Sequence, residues 1–480
     1  KLKYGFSEET RASLSVGRTE TRSCTPGPKP SEDPAQRTES QTRLGTDEVS
    51  SLYDYGRSEQ SYCHFVFEHE GLKIQASRTF WNDDSNRMAF WGAAWGVPET
   101  HSYEDDYKTE MIDFDAQYVW EPADCDALTF GFSTRNDGFD SVARDYTAEF
   151  GTDVITAWRA DRTTCAGFIQ NELEIGPVIV IAGWRWDEPD DLPGKGSFRG
   201  GVNWHVCDDT TIRANYAESF TAPSLSDLYW PQDPFSEGNR GLEPESGEQY
   251  DFGVEQTVCD VAKLRVTAFR HKVDKAIIWA PTGSVGPWGN ARWRPDNLNS
   301  MRIDGLEFEG VYEITDDLTL TGSYTHLDAE QTRMELVDSV TNAMVERKKW
   351  MPYSPRHKMN LGAHWRNIAG MDGLELKADA EFVSDVHQYF NVYEPWPGTA
   401  VTQQRKTLQE HWLVNLRLSK SFDNFEVFLS IDNLLNEQYS QQYGLLQDEG
   451  YPMPGTSVML GVEVELGKSA AAQPEGAEAP

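Results

Sequence analysis

Across residues 109–466 apolar and polar positions alternate with a period of two, and the rhythm returns in segment after segment. In 374–382, Leu374, Leu376, Ala378, Ala380 and Phe382 alternate with Glu375, Lys377, Asp379 and Glu381. Residues 112–120 set Ile112, Phe114, Ala116, Tyr118 and Trp120 against Asp113, Asp115 and Gln117. The last such segment sets Val458, Leu460, Val462, Val464 and Leu466 against Ser457, Gly461, Glu463 and Glu465. Successive side chains of a strand point to opposite faces, so each segment predicts a β-strand with one apolar and one polar face.

The connections decide what kind of sheet this is. Short turns at 121–126, 207–210, 258–261 and 315–317 alternate with long, aromatic, Gly- and Pro-rich stretches at 81–108, 221–246, 280–299 and 388–407. Tight turns at one end and long loops at the other are the asymmetry of transmembrane β-barrels, whereas a sandwich mixes loop lengths at both ends. The pattern predicts an all-β chain: a large antiparallel transmembrane barrel of about nineteen strands, each of roughly 8–12 residues. An odd count does not close a bacterial barrel, so residues 1–466 are expected to lack strands at the N-terminal end. Residues 21–54 are expected to form a long mobile outer loop, and 467–480 (GKSAAAQPEGAEAP) a disordered tail.

Composition sharpens this picture at four points. Hydrophobic residues make up 38% of the chain and no apolar run approaches the roughly 18–20 residues of a membrane helix. Aromatics at 12% are too abundant for disorder, so the apolar residues are dealt out singly along strands. A net charge of −35 repels phosphate backbones and argues against nucleic acid as a partner. Cys24, Cys63, Cys125, Cys165, Cys207 and Cys259 form no CxxC pair, which removes zinc and thioredoxin-like chemistry. Cys125, Cys207 and Cys259 sit at successive short turns, roughly 10 Å apart by strand spacing, beyond the about 7 Å that a disulfide bridges between Cα atoms. They read as small turn residues.

Four segments, in order, resemble TonB-dependent outer-membrane receptors, the active transporters of siderophores, cobalamin and haem. They are NYAESFTAPSLSDLY (215–229) with GNRGLEPESGEQYDFGVE (238–255), then NLNSMRIDGLEFE (297–309), then SPRHKMNLG (354–362), and finally IDNLLNEQY (431–439) with YPMPGTSVMLGVEVEL (451–466). Physically these read as architecture rather than cargo contacts. Asn433 ends a strand, while Pro452 and Pro454 cannot donate to a ladder and belong before the final strand. The resemblance implies about 22 strands around a plug of roughly 130–150 residues that contacts the TonB–ExbB–ExbD complex. By that count the plug and three strands are expected to have no counterpart within residues 1–466. It also implies outer-membrane lipid and lipopolysaccharide as surroundings.

Candidate chemistry is that of binding. HExxH, GxSxG and a phosphate-cradling glycine loop are all missing from the sequence, so no enzyme is expected. His64 and His69, five apart on a strand, face opposite sides and make poor metal partners. Asp83, Asp84, Asp187, Glu188, Asp190 and Asp191 supply hard oxygens of the kind calcium takes, although a solvated charge run explains them more simply. Aromatic residues of the long stretches are the cargo candidates: Trp91 and Trp95; Trp230 and Phe235; Trp279, Trp288 and Trp293; Tyr389, Tyr393 and Trp396. Such rings offer large contact area at little entropic cost, and the competing reading is an interfacial girdle. Haem receptors of this family usually place a histidine between the two elements of the first segment, and none stands between Pro223 and Gly238. The run 277–298 is similar to the matching loop of cobalamin-type receptors. The expected cargo is therefore a small-molecule metal chelate, a ferric siderophore or cobalamin, with no resident cofactor. A passive porin and a soluble carbohydrate-binding β-protein are the alternatives.

Overall fold

The computed structural model describes residues 2–7, 9–24, 55–91, 99–147, 152–233, 236–285, 291–338, 343–393, 401–443 and 450–464. The chain runs β1 (Leu2–Gly5), β2 (Thr10–Cys24), β3 (Tyr55–His69), β4 (Leu72–Trp91), β5 (Glu99–Ala123), β6 (Asp126–Thr147), β7 (Thr152–Ile175) and β8 (Val178–Pro189). It continues through β9 (Lys195–Cys207), β10 (Thr210–Thr221), a short helix α1 (Leu225–Tyr229), β11 (Glu245–Val258), β12 (Ala262–Val285), β13 (Ala291–Thr315) and β14 (Leu318–Asp338). Then come β15 (Ala343–Trp350), β16 (His357–Trp365), β17 (Leu374–Ser384), β18 (His387–Tyr393), β19 (Val401–Thr407) and β20 (His411–Ser421). The chain closes with β21 (Phe425–Asp432), β22 (Ser440–Tyr443), β23 (Gly450–Pro452) and β24 (Ser457–Val464).

Twenty of these strands form one antiparallel meander. The lower part of β14 pairs with β16 and its upper part with β15, so those two strands share one position. Twenty strands therefore fill nineteen positions, the number that the alternation predicts. Hairpins β18–β19 and β22–β23 extend two connections into small sheets of their own. The sheet's edges are β1 and β24, and no ladder joins them among the described residues.

The two faces of the wall are opposite in character. Ile112, Trp120, Phe132 and Ile169, on the apolar phase of their strands, are about half exposed. The polar phase carries ion pairs, among them Arg135–Asp137, Arg185–Asp187 and Arg265–Glu255. A water-soluble sheet would cover the apolar face; here it is turned outward as a continuous band, which needs lipid around it. The polar phase lines the interior.

Turns at the short end follow expectation, with two residues between long strands at Asp124–Cys125, Asp208–Asp209 and Asp316–Asp317. Cys259 and Asp260 both take positive φ, the geometry that matches strand twist in a tight hairpin. At the other end the expectation needs correcting. Residues 81–108, 280–299 and 388–407 are largely strand rather than loop, since β4 runs on to Trp91, β5 starts at Glu99, and β12 and β13 stay paired to Val285 and Ala291. Residues 21–24, expected to open a loop, belong to β2. Above the lipid both faces of the wall meet water, so alternation fades while the backbone ladder continues unaffected. Residues 25–54 and the tail 467–480 lie outside the described residues.

Candidate functional site

The connection from β10 to β11 is folded tightly against the wall. Ser224 caps α1: Asp227 N donates to Ser224 Oγ at 3.0 Å, and Ser224 N donates to Asp227 Oδ2 at 3.3 Å. Pro223, Leu225, Leu228 and Leu242 are buried beneath it. From β7, Arg162 reaches into this segment with a side chain only 7% exposed. Its Nη1 donates to Pro223 O at 2.9 Å, and Nε and Nη2 grip Asp191 at 2.6 and 3.0 Å. The Tyr229 hydroxyl donates to the same carboxylate at 3.1 Å. Burial, with Asp191 beside it, raises the Tyr229 pKa and keeps that hydroxyl a donor.

A second set of bonds fixes the far side. Asn239 Nδ2 donates to Pro295 O and Asp296 Oδ1 at 3.0 and 2.7 Å, and Glu237 N donates to Trp293 O at 3.0 Å. Asn297 accepts from Glu243 N at 2.8 Å and donates to Glu243 O and Lys275 O. Gly238 packs so closely that a Cβ would stand 2.7 Å from Trp230 N and 2.9 Å from Leu228 O. The GN-x-x-L element is thus structural at each marked position, with Gly238 allowing close approach, Asn239 bridging to β13 and Leu242 filling the space beneath. The same holds near the C-terminus. Asn433, buried with positive φ, donates to Glu437 O and Pro454 O at 3.0 and 3.1 Å.

What this pinning presents to the interior is an aromatic ladder. Trp230 meets Trp158 edge-on at 6.0 Å between ring centroids, Trp158 meets Phe139 at 4.9 Å, and Phe139 stacks with Tyr107 at 6.0 Å. Tyr107, Phe139 and Trp158 come from three adjacent strands and share the inward phase of Asp113, Arg135 and Arg162. Below the rings that face is lined by Arg135, Asp137, Arg185 and Asp187. An apolar, polarizable shelf above a dense set of fixed charges can hold a ligand with both aromatic or corrin-like surface and polar groups.

Of the residues singled out from sequence whose side chains are described, Trp230 alone enters this ladder. Trp279 and Trp293 are exposed and share one face of the β12–β13 hairpin. Tyr389 belongs to a separate buried cluster, with the Lys349 ammonium 4.2 Å above its ring. Lys349 also engages Glu335 and Gln403. Burial pushes the lysine pKa down and the tyrosine pKa up. Trp95, Phe235, Trp288 and Trp396 lie outside the described residues, as do the side chains of Trp91 and Tyr393. Sequence reasoning misses Phe139 and Trp158 because they sit outside the long stretches searched, and misses Tyr107 because residues 99–108 read as loop rather than as the start of β5. Their signal is an aromatic residue in the polar phase of an alternating segment.

Three of the six calcium candidates are otherwise engaged. Asp187 pairs with Arg185, Asp191 with Arg162, and Glu188 accepts the Trp186 indole N–H at 2.8 Å. Among the described residues, no group of three or more His, Cys, Asp or Glu side chains converges on a metal-sized space. Cys63, Cys125, Cys165, Cys207 and Cys259 are free thiols.

Comparison with known proteins places this architecture. The described β-barrel superposes on the ferric enterobactin receptor PfeA of Pseudomonas aeruginosa with a TM-score of 0.69 at 15% identity, covering 96% of this chain and 68% of that one. The vitamin B12 transporter BtuB of Vibrio vulnificus (strain YJ016) is 25% identical over 163 residues, 34% of this chain and 25% of that protein. The ferrichrome outer membrane transporter/phage receptor of Escherichia coli (strain K12) is 24% identical over 225 residues, 44% of this chain and 26% of that protein. The matched segments thus span about a quarter of these curated relatives. The family model described as TonB dependent receptor-like, beta-barrel, matches residues 4–434, nearly the whole wall from β1 to the end of β21. The chain belongs to the TonB-dependent receptor β-barrel family.

Proposed function

We propose that this barrel serves active, TonB-dependent uptake of a scarce metal chelate, a ferric siderophore or cobalamin, across an outer membrane. The inward aromatic ladder Tyr107–Phe139–Trp158–Trp230 carries this reading, because it offers ring surface where a cargo enters the polar interior. Similarity to a ferric enterobactin receptor and to a vitamin B12 transporter supports the cargo class. In this reading, energy reaches the barrel through a plug domain that contacts TonB–ExbB–ExbD, and lipid and lipopolysaccharide surround the apolar band. The chain binds and passes its cargo and does no chemistry on it.

Trp158 and Trp230 make the test direct. Titration of the complete gene product in detergent with cobalamin and with a panel of ferric siderophores, followed by tryptophan quenching, is expected to show saturable binding of one class. Trp158→Ala and Trp230→Ala should each weaken it about tenfold, the cost of one lost aromatic contact of roughly 1.4 kcal/mol. A passive porin would show no saturation with any chelate, and that result would sink the proposal.

A further inference from the structure

Outside the interior, one constellation of donor atoms has no part in the cargo reading. His326 and His357 are direct partners at the last rung of the β14–β16 ladder. They share the outward phase of Leu320 and Leu361, which are 37% and 46% exposed. Just above them the wall forks: Leu327 N still donates to Arg356 O, and from Glu330 onward β14 pairs with β15 instead. The two imidazoles therefore stand on the outer surface, at the point where the ladder changes partners.

Their geometry brings two ring nitrogens and a hydroxyl to one point. His326 Nδ1 lies 3.4 Å from His357 Nδ1, and Tyr324 Oη lies 2.7 Å from that same His357 nitrogen. An imidazole nitrogen has either one hydrogen or one lone pair, so His357 Nδ1 satisfies only one of these two neighbours well. A cation between the donors satisfies both histidines. Zinc–nitrogen bonds of about 2.0–2.1 Å at a tetrahedral angle separate the two nitrogens by roughly 3.3–3.4 Å. That is the spacing found here. The other nitrogen of His357 faces Asp385 at 3.8 Å, the side on which metal-binding histidines commonly meet a carboxylate.

The geometry points to a surface site for a borderline divalent transition ion, zinc(II) or copper(II), held by His326 Nδ1 and His357 Nδ1, with the Tyr324 hydroxyl beside them as a hydrogen-bonding neighbour. A pair of imidazole nitrogens selects such ions over magnesium or calcium. Bound there, the ion ties β14 to β16 at the fork and so stabilises the wall by mass action. The site differs from the cargo surface in face and in ligand chemistry, so either can fail without the other.

The test uses the complete gene product in detergent, titrated with zinc chloride by calorimetry and with copper(II) by electron paramagnetic resonance. One tight ion per chain is expected, with two nitrogen donors in the copper spectrum and a zinc-dependent rise in unfolding temperature. His326→Asn and His357→Asn should each lower zinc affinity at least tenfold, leave one nitrogen donor and abolish the temperature rise. His205→Asn, at the far end of the wall, should change none of these. A His326→Asn/His357→Asn double variant that binds zinc like the parent would overturn the site. So would a parent copper spectrum with fewer than two nitrogens, a measurement that needs no variant to fold.

Discussion

Arg162 shows how much a single residue organises. Its guanidinium serves Pro223 O and the Asp191 carboxylate almost entirely out of water. Arg162→Met removes the cation and leaves that carboxylate with only the Tyr229 hydroxyl. Breaking a buried pair in this way costs about 3–5 kcal/mol. The cost should appear as rapid limited proteolysis within residues 222–243 and a red shift of tryptophan emission as Trp230 leaves Trp158. Adding Asp191→Leu should restore most of the protection, because the orphaned charge is then gone. His387 gives a pH prediction of definite sign. Burial, with Arg405 contributing, lowers its pKa below the ordinary value of about 6.5. The folded hairpin thus holds fewer protons than the unfolded chain. Its stability is full above about pH 6.5 and falls as pH drops through the lowered value. Amide exchange in β18–β19 should accelerate on acidification, and His387→Gln should flatten the response.

Among the elements, the α1 connection is legible in part. Its motif residues can be marked as architectural from sequence, yet the partners that make them so, Arg162, Pro295 and Asn297, come from distant strands. Gly238→Ala tests the arrangement, since the added methyl meets the backbone of Leu228 and Trp230 rather than a movable side chain. It is expected to destabilise the connection by about 1–3 kcal/mol, the usual range for overpacking. Hydrogen exchange should register this as faster labelling of residues 222–243 with the wall unaffected. The extended strands are the opposite case. β5 and β13 each run 25 residues, far more than the roughly 9–11 that cross lipid, and from sequence their upper halves read as loops. Period-two patterning reports a difference between two environments. Where water lies on both sides, strands leave no such trace.

At the scale of the whole molecule, the outward apolar band makes a simple forecast. Phe114 faces lipid and Asp115 faces the interior, one residue apart on β5. Phe114→Arg should cost roughly 2–4 kcal/mol of folding free energy in bilayers, whereas Asp115→Asn should lie near zero. Reversible denaturation in liposomes measures both, and equal costs would contradict the assignment of faces. The alternation and the turn spacing by themselves determined the lipid-crossing parts of the strands, their two faces and a count of about nineteen, because lipid on one side and water on the other impose a period that local sequence must carry. Register and burial decided the rest. The aromatic ladder draws on three strands and a connection, the Arg162–Asp191 grip spans 29 residues, and His326 meets His357 across 31. Such meetings depend on which rung faces which, and a pattern of period two is the same at every second rung.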